Sequence, residues 1–256
     1  MVETTDIGDW FRNIPVISRY WFAGSVIFPL LARFGLFHPM SLILTQDFLY
    51  RFQIWRPITA VLYYPIVPAT GFHYLIHLYF LYSYSTRLET GLFDGRPADY
   101  LFMLLFNWTC IVIVGVLMDM SLLMMPLIIS VMYLWAQVNR DQIVTFWFGT
   151  TFKACYLPWV ITGFNFILRG SVMNELVGIF VGHLYFFLMF KYPQDFNGRC
   201  FLSTPSFLYR FLPSRRGGMG GFGAPPPPRR RPDDDDGGHG WGGRLGWGIG
   251  QRLGEQ

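Results

Sequence analysis

Residues 177–188 read VGIFVGHLYFFL and set one histidine, His183, directly after a glycine inside an apolar run. An imidazole in hydrocarbon is costly, so such residues generally have a task. The chemistry open to it is that of a general base, which needs a nucleophilic hydroxyl within reach and donors for the oxyanion that forms. The serines that could serve it are Ser121 and Ser130 in the stretch SLLMMPLIISVMYLWAQVNR, and Ser171 in the turn before its own run. A second pair, His73 and His77, stands four residues apart in GFHYLIHLYFLYSYS. Two imidazoles one helical turn apart can bind a metal, but the glutamate of HExxH is missing and no further ligand accompanies them. No metal and no cofactor is expected. With Tyr74, Tyr79, Tyr82 and the serines beside them, a polar helix face lining a cavity fits better, and Asn107 is a further candidate for that lining.

The elements that must position these residues follow from composition. Of 256 residues 52% are hydrophobic and 14% charged, against roughly 25% charged in soluble domains. The first 190 residues hold the apolar runs, and the rest is rich in Gly, Pro and charge. A membrane span needs about 20 mostly apolar residues, and candidates lie at 18–37, 71–86, 99–118, 122–138, 154–168 and 172–190. Six spans put both termini on one side. Arginines and lysines crowd the ends of the spans on that side (Arg12, Arg19, Arg87, Arg96, Arg140, Lys153, Lys191), so both termini are expected in the cytosol. The N-terminus lacks the basic start and cleavage site of a removable signal peptide, so the first span would serve as an uncleaved anchor. The expected organisation is a cytosolic segment 1–17, a membrane domain 18–190, a juxtamembrane helix 191–215 and a disordered tail 216–256.

The loop from His38 to Thr70 breaks the orientation pattern. It carries Arg51 and Arg56, and it is too apolar for a free loop and too broken by Pro39, Pro57, Pro65 and Pro68 for a straight span. An amphipathic segment in the membrane interface is expected, with Tyr50 and Trp55 at headgroup level and Arg51 and Arg56 snorkelling outward. The net charge of +4 comes without a base-reading motif, so no nucleic-acid partner is expected. Cys110, Cys155 and Cys200 have neither disulfide nor zinc spacing and read as free thiols. The sequon at Asn107 lies in an apolar run, out of reach of glycosylation.

Three long segments, FQIWRPITA (52–60), YFLYSYSTRLETGLFDGRPADYLFMLLFNW (79–108) and NRDQIVTFWFGTTFKACYLPWV (139–160), resemble the Derlin family, inactive relatives of rhomboid proteases. The resemblance covers residues 5–215 and resumes at the extreme C-terminus. Active rhomboids bring their serine in a Gly-x-Ser-Gly on the fourth span and their histidine on the sixth. Here neither Ser121 nor Ser130 has those glycines. Trp55 and Arg56 in the first loop, and Gly178, Gly182 and His183 on the last span, are marks shared with the active enzymes. Glycines four apart let two helices approach closely.

The resemblance implies an all-α, six-transmembrane rhomboid-like bundle in the endoplasmic reticulum membrane, with an interfacial first loop and no enzymatic activity. It implies a role in ER-associated degradation, retrotranslocating misfolded ER client proteins to the cytosol through a homo-oligomer in the lipid bilayer. ER membrane ubiquitin ligase complexes would be partners. Two other classes stay open from the residues themselves: an active intramembrane serine protease using Ser130 or Ser171 with His183, and a solute transporter, for which no inverted repeat speaks. The charged stretch 85–100 reads either as a solvated turn or as a contact to partners.

In the juxtamembrane part, STPSFLYRFLPS offers Thr204 as N-cap and Pro205 at the first helical position. Phe207, Leu208, Phe211 and Leu212 would form one apolar face for the bilayer or the domain. Beyond it, GGMGGFGAPPPPRRRPDDDDGGHG cannot support a core. The end, WGIGQRLG (247–254), joins aromatic and aliphatic anchors to glycines that permit backbone approach. It resembles the motif by which Derlins recruit the valosin-containing AAA ATPase, a role the resemblance gives to Trp247, Gly248, Gly250, Arg252 and Leu253.

Overall fold

The computed structural model describes residues 7–46, 48, 51–145, 149–195, 202 and 204–212. Apolar runs punctuated by Pro, Gly and Asp become helices here. A short α1 (Ile7–Asn13) leads into α2 (Val16–Arg33), and the first loop holds α3 (Pro39–Leu42) and α4 (Arg56–Leu62). The bundle continues with α5 (Gly71–Thr90), α6 (Pro97–Leu117) and α7 (Met124–Val138). After a two-stranded hairpin come α8 (Leu157–Arg169), α9 (Met173–Phe186), a π-helical turn (Phe187–Lys191) and α10 (Tyr192–Asp195). A short α11 (Ser206–Phe211) ends the described chain. Pro stands at the first turns of α3, α4, α6 and α8, where its missing N–H has no intrahelical role, while Pro29 lies inside α2. Gly170 closes α8 in the left-handed region at φ 68°, a conformation cheap only for glycine.

Helices stand at all six predicted places. Two of them, Pro97–Leu117 and Met173–Lys191, are long and apolar enough to cross a membrane, and those at 124–138 and 154–168 are apolar but shorter. The reason is length in one case and chemistry in another. The 15 residues of α7 rise about 22 Å and the 13 of α8 about 20 Å, short of a hydrocarbon core of about 30 Å. The α5 helix has the length, but its tyrosines, serines and histidines dilute its apolar character.

The core is centred on α7, buried along nearly its whole circumference by α5, α6, α8 and α9. A helix apolar all round belongs in such a place. The sequence pattern gave no sign of the hairpin between α7 and α8. Its strands β1 (Ile143–Thr145) and β2 (Thr151–Lys153) pair antiparallel, with Val144 opposite Phe152. Beside it Lys153 Nζ bridges Asp141 at 3.0 Å, and that carboxylate pushes the lysine's pKa up.

The first loop is docked rather than floating. Thr59 Oγ1 donates to the Leu42 carbonyl at 3.0 Å, and Trp108 Nε1 on α6 donates to the Pro57 carbonyl at 3.0 Å. Leu44 N donates to Ser121 O, and Leu123 N to Ala60 O, each at 3.0 Å. Trp55 is half exposed at the N-cap of α4. Arg56 departs from the expected snorkelling. Its Nη1 turns back to the carbonyls of Met40 (2.8 Å) and Ile43 (3.1 Å), and its Nε to Gln53 Oε1. Those carbonyls lie outside regular structure or at a helix end and need donors, so the guanidinium clamps α3 to α4. Arg51 is exposed; Tyr50 lies outside the described residues.

Candidate functional site

His183 lies on the exposed side of α9, and its Nδ1 shares a hydrogen bond of 2.8 Å with the Tyr133 hydroxyl of α7. Ser130, one turn earlier on α7, points elsewhere. It is fully buried, its Oγ donates to the Leu127 carbonyl at 2.8 Å, and it accepts from Asn107 Nδ2 of α6 at 3.2 Å. Its one proton is committed to the backbone of its own helix. Ser171 precedes the start of α9 at Met173, so roughly 15 Å of helix rise separate it from His183. Neither serine is positioned as a nucleophile for this histidine.

The α7–α9 seam explains why glycines sit where they do. A methyl group on Gly178 would stand 2.6 Å from the Pro126 carbonyl oxygen and 2.8 Å from Ile129 Cβ. On Gly182 it would meet the Ser130 carbonyl oxygen at 2.8 Å and Tyr133 Cβ at 3.0 Å. The two backbones approach too closely for any side chain, the arrangement that small residues four apart permit. His183, next to the second glycine, is carried to Tyr133 by that approach.

The residues proposed for a wet cavity lie in packed surroundings. His73, Tyr74 and His77 of α5 are buried, His77 to 2% exposure. Tyr64 stacks on Tyr74 at 6.1 Å between centroids and meets His77 edge-on at 5.4 Å. The Tyr74 hydroxyl reaches across to the Ser25 carbonyl of α2 at 2.9 Å. Asn107 has no exposed surface, consistent with an unreachable sequon, and sits between Met103 Sδ and Ser130 Oγ as a bridge from α6 to α7. Glu175 is buried and accepts from Asn165 Nδ2 of α8 at 2.8 Å. No group of three His, Cys, Asp or Glu side chains fit for a metal occurs among the described residues. Cys110 and Cys155 are free.

The residues that sequence reading missed lie in the charged stretch 85–100. Glu89 is buried against the N-terminus of α2, where its carboxylate accepts from Ile17 N (3.0 Å), Ser18 N (2.8 Å) and Ser18 Oγ (2.7 Å). This is an N-cap supplied from a distant helix, satisfying donors that α2 cannot satisfy itself. Because Ser18 Oγ donates to Glu89, Ser85 Oγ must donate to Ser18 (2.6 Å), and Tyr100 OH to Ser85. One directed chain thus ties α6 through α5 to α2. Nearby, the Arg87 guanidinium lies over the rings of Trp135 (5.3 Å) and Tyr84 (5.8 Å).

Two further features complete the surface. A cavity of about 590 Å³ opens between α2, α4 and α6. Its walls follow α2 at Val16, Ile17, Tyr20 and Trp21 and α6 at Leu101, Leu104, Leu105 and Trp108, with Val61 of α4 opposite and Leu212 at one end. The segment that brings Leu212 there is held to α6. Asp99 Oδ1 accepts from Thr204 Oγ1 (2.7 Å) and from the Tyr209 hydroxyl, and Leu208 is buried. Thr204 therefore does not cap α11, which begins at Ser206 after Pro205; its hydroxyl is taken by Asp99. Of the expected apolar face Leu208 and Leu212 pack inward, while Phe207 and Phe211 remain exposed. Burial first, and then Asp99, push the Tyr209 phenol above its ordinary pKa. Trp247, Gly248, Gly250, Arg252 and Leu253 lie outside the described residues.

A model of the Der1-like family matches residues 14–206, from just before α2 to the start of α11. The chain belongs to the Der1-like family. It is 69% identical over 253 residues to Derlin-1 of Homo sapiens, covering 98% of this chain and 100% of that protein. To Derlin-1 of Caenorhabditis elegans it is 48% identical over 250 residues, with 97% and 99% covered. Derlin-1 of Drosophila melanogaster is 42% identical over 221 residues, with 86% and 90% covered. The Der1-like match takes in the Glu89 network, the glycine seam and the Arg56 clamp, and the likeness to the human protein extends through the tail.

Proposed function

We propose that this chain is a non-catalytic, rhomboid-like protein of the endoplasmic reticulum membrane that helps move misfolded proteins to the cytosol for degradation. The observation that carries the reading is that the Ser130 hydroxyl and His183 are each engaged by other partners. The histidine is engaged by Tyr133 at 2.8 Å, and the serine is sealed among Leu127 and Asn107. A nucleophile and base that do not meet cannot perform the acyl transfer that an intramembrane protease needs. The likeness to three Derlin-1 proteins, over 86% to 98% of this chain, supports the same assignment.

In this reading the helices α2, α5, α6, α7, α8 and α9 are six spans, and both termini are cytosolic, the side that the bias of arginine and lysine favours. The shortness of α7 and α8 gives the bilayer a reason to thin locally around them. A thinner hydrocarbon layer lowers the cost of carrying polar backbone across, since each unsatisfied group in lipid costs several kcal/mol. The protein acts as a homo-oligomeric channel component alongside ubiquitin ligase complexes. Its tail, through Trp247, Gly248, Gly250, Arg252 and Leu253, docks the valosin-containing AAA ATPase that pulls the client.

The test is a pull-down of that ATPase with the full chain and with a Trp247→Ala/Leu253→Ala variant, followed by turnover of a misfolded client. Loss of both binding and turnover is expected. Retained binding would move the dock elsewhere, and binding lost with turnover unchanged would overturn direct recruitment as the mechanism.

A further inference from the structure

The short helix α11 carries more apolar side chains than the bundle covers. Successive residues turn by about 100° around a helix axis, so Tyr209 lies on one flank of Leu208 and the pair Phe207 and Phe211 on the other. Leu208 packs inward and Tyr209 is bonded to Asp99, which leaves the phenylalanines on the flank turned away from that carboxylate. They are 59% and 79% exposed, and Arg210, exposed as well, shares their side. The level at which this flank stands follows from its anchor. Asp99 is the third residue of α6, whose 21 residues rise about 31 Å, close to the thickness of a hydrocarbon core. Its hydrogen bonds with Thr204 and Tyr209 hold α11 beside one end of that helix. Leu212 agrees, for it lines the same cavity as Val16 and Ile17 in the first turn of α2 and Leu101 of α6. In the orientation proposed above this is the cytosolic end of the spans. Aromatic rings and short amphipathic segments with arginine favour that depth of a membrane.

Charge points to the same partner. Lys191 ends the last apolar helix, Arg210 lies on α11, Arg215 and Arg216 follow it in the sequence, and no Asp or Glu stands between Asp195 and Asp233. The two carboxylates near the start of α6 and α2 are already engaged. Asp99 is held by Arg96 at 3.8 Å and by the hydroxyls of Thr204 and Tyr209, and Glu89 by the start of α2. The ion pairs among the described residues, Arg96–Asp99 and Lys153–Asp141, do not include Arg210 or Lys191. Four basic residues just cytosolic of a span complement the negative surface of that leaflet. A protein partner fits less well. Two phenylalanine rings bury about 400 Å² at most, whereas a stable interface needs about 800 Å² from each side.

We propose that α11 is a foot on the cytosolic leaflet: Phe207 and Phe211 insert among its lipids, while Arg210 and the basic residues flanking it in the sequence meet anionic headgroups. The inference rests on the membrane embedding and orientation proposed above. The segment leading into the tail is then anchored twice, to Asp99 on one flank of α11 and to the bilayer surface on the other.

The experiment uses the full chain in bilayer nanodiscs of phosphatidylcholine, alone or mixed with an equal part of phosphatidylserine. With p-benzoylphenylalanine in place of Phe211, light is expected to attach a phospholipid to the peptide that carries it, read as a mass shift. Cross-links to a second copy instead would assign the flank to self-association, and no adduct would leave it in water; either result overturns the proposal. Hydrogen exchange of residues 206–212 should be slower in the discs that contain phosphatidylserine. Arg210→Gln should cut that added protection about fivefold, the effect of one basic residue near an anionic surface. Phe207→Ser/Phe211→Ser should abolish it, with unchanged thermal unfolding in lipid-free detergent showing that the variant folds. Equal exchange in the two lipid mixtures, or undiminished protection in the double variant, would also overturn the proposal. The same photoprobe in place of Ile113, exposed midway along α6, tests the embedding separately. No lipid adduct at either position overturns the embedding, whereas adducts at 113 without any at 211 overturn only the foot.

Discussion

Glu89 shows how a single side chain can hold three helices in register. Its two oxygens take two backbone N–H groups and a hydroxyl at the start of α2, and the hydroxyl chain behind Ser18 ends at Tyr100. Removing the carboxylate leaves three buried donors without a partner, and each such orphan costs about 1–3 kcal/mol. Glu89→Ala should therefore destabilise the protein by about 3 kcal/mol or more, and Ser18→Ala by less, because the backbone donors keep their acceptor. A double-mutant cycle read by thermal unfolding in detergent checks this; additive losses would show that Ser18 and Glu89 do not act together. His183 stands at the other extreme. It is exposed and shares a hydrogen bond with Tyr133, so His183→Ala should cost about 1 kcal/mol and leave client turnover intact. Abolished turnover in a variant of wild-type stability would reinstate the histidine as a base and sink the non-catalytic reading.

Between elements, the seam of α7 and α9 is the tightest approach. Gly182→Val would drive branched methyls into the Ser130 carbonyl and the Tyr133 Cβ, both within 3.0 Å of where the first carbon must go. The helices must separate, Tyr133 and His183 part, and Asn107 loses the fixed position of Ser130. A loss of several kcal/mol is expected, of the order of severe overpacking or more. A variant with an unchanged unfolding midpoint and unchanged client turnover would show that the seam can open at no cost. This contact was legible in advance because it is local in kind: two glycines four apart on one helix announce close packing before the partner is known. Helix positions were legible for the same reason, being set by runs of apolar residues. Glu89 was not. In the sequence it sits among Arg87, Asp94 and Arg96, a composition that reads as a solvated turn, and its partners lie some seventy residues away on α2. Arg56 and Thr204 misled in a similar way. Each has a sound local role, snorkelling or capping, and each is drawn off by an acceptor that only the folded chain supplies: the Met40 and Ile43 carbonyls for one and Asp99 for the other.

At the scale of the molecule, the proposed docking of an ATPase on the tail raises the question of how a pull at residue 212 would be felt in the bundle. Among the described residues the last segment, 204–212, is held to α6, with Asp99 as its polar anchor and Leu208 and Leu212 as its apolar anchors. A pull applied at residue 212, as the proposed ATPase docking would supply, would meet that attachment, so the segment would act as a latch on α6. The latch has a titration signature. Burial and Asp99 raise the Tyr209 pKa above the ordinary value near 10, so the docked state favours the neutral phenol. A group raised in this way contributes its full share below the free-tyrosine value and loses it as pH climbs through the docked value. Hydrogen exchange or proteolysis of residues 202–212 should therefore stay slow at pH 7 to 9 and quicken above about pH 10, as the phenolate forms against Asp99. Tyr209→Phe should start from a looser latch and lack that alkaline step, while Asp99→Ala, which removes the acceptor of both hydroxyls, should expose the segment at neutral pH. Equal protection of 202–212 in wild type and Asp99→Ala would mean that Leu208 and Leu212 hold the segment alone, and the tail would then be coupled to the bundle by apolar packing rather than by the carboxylate.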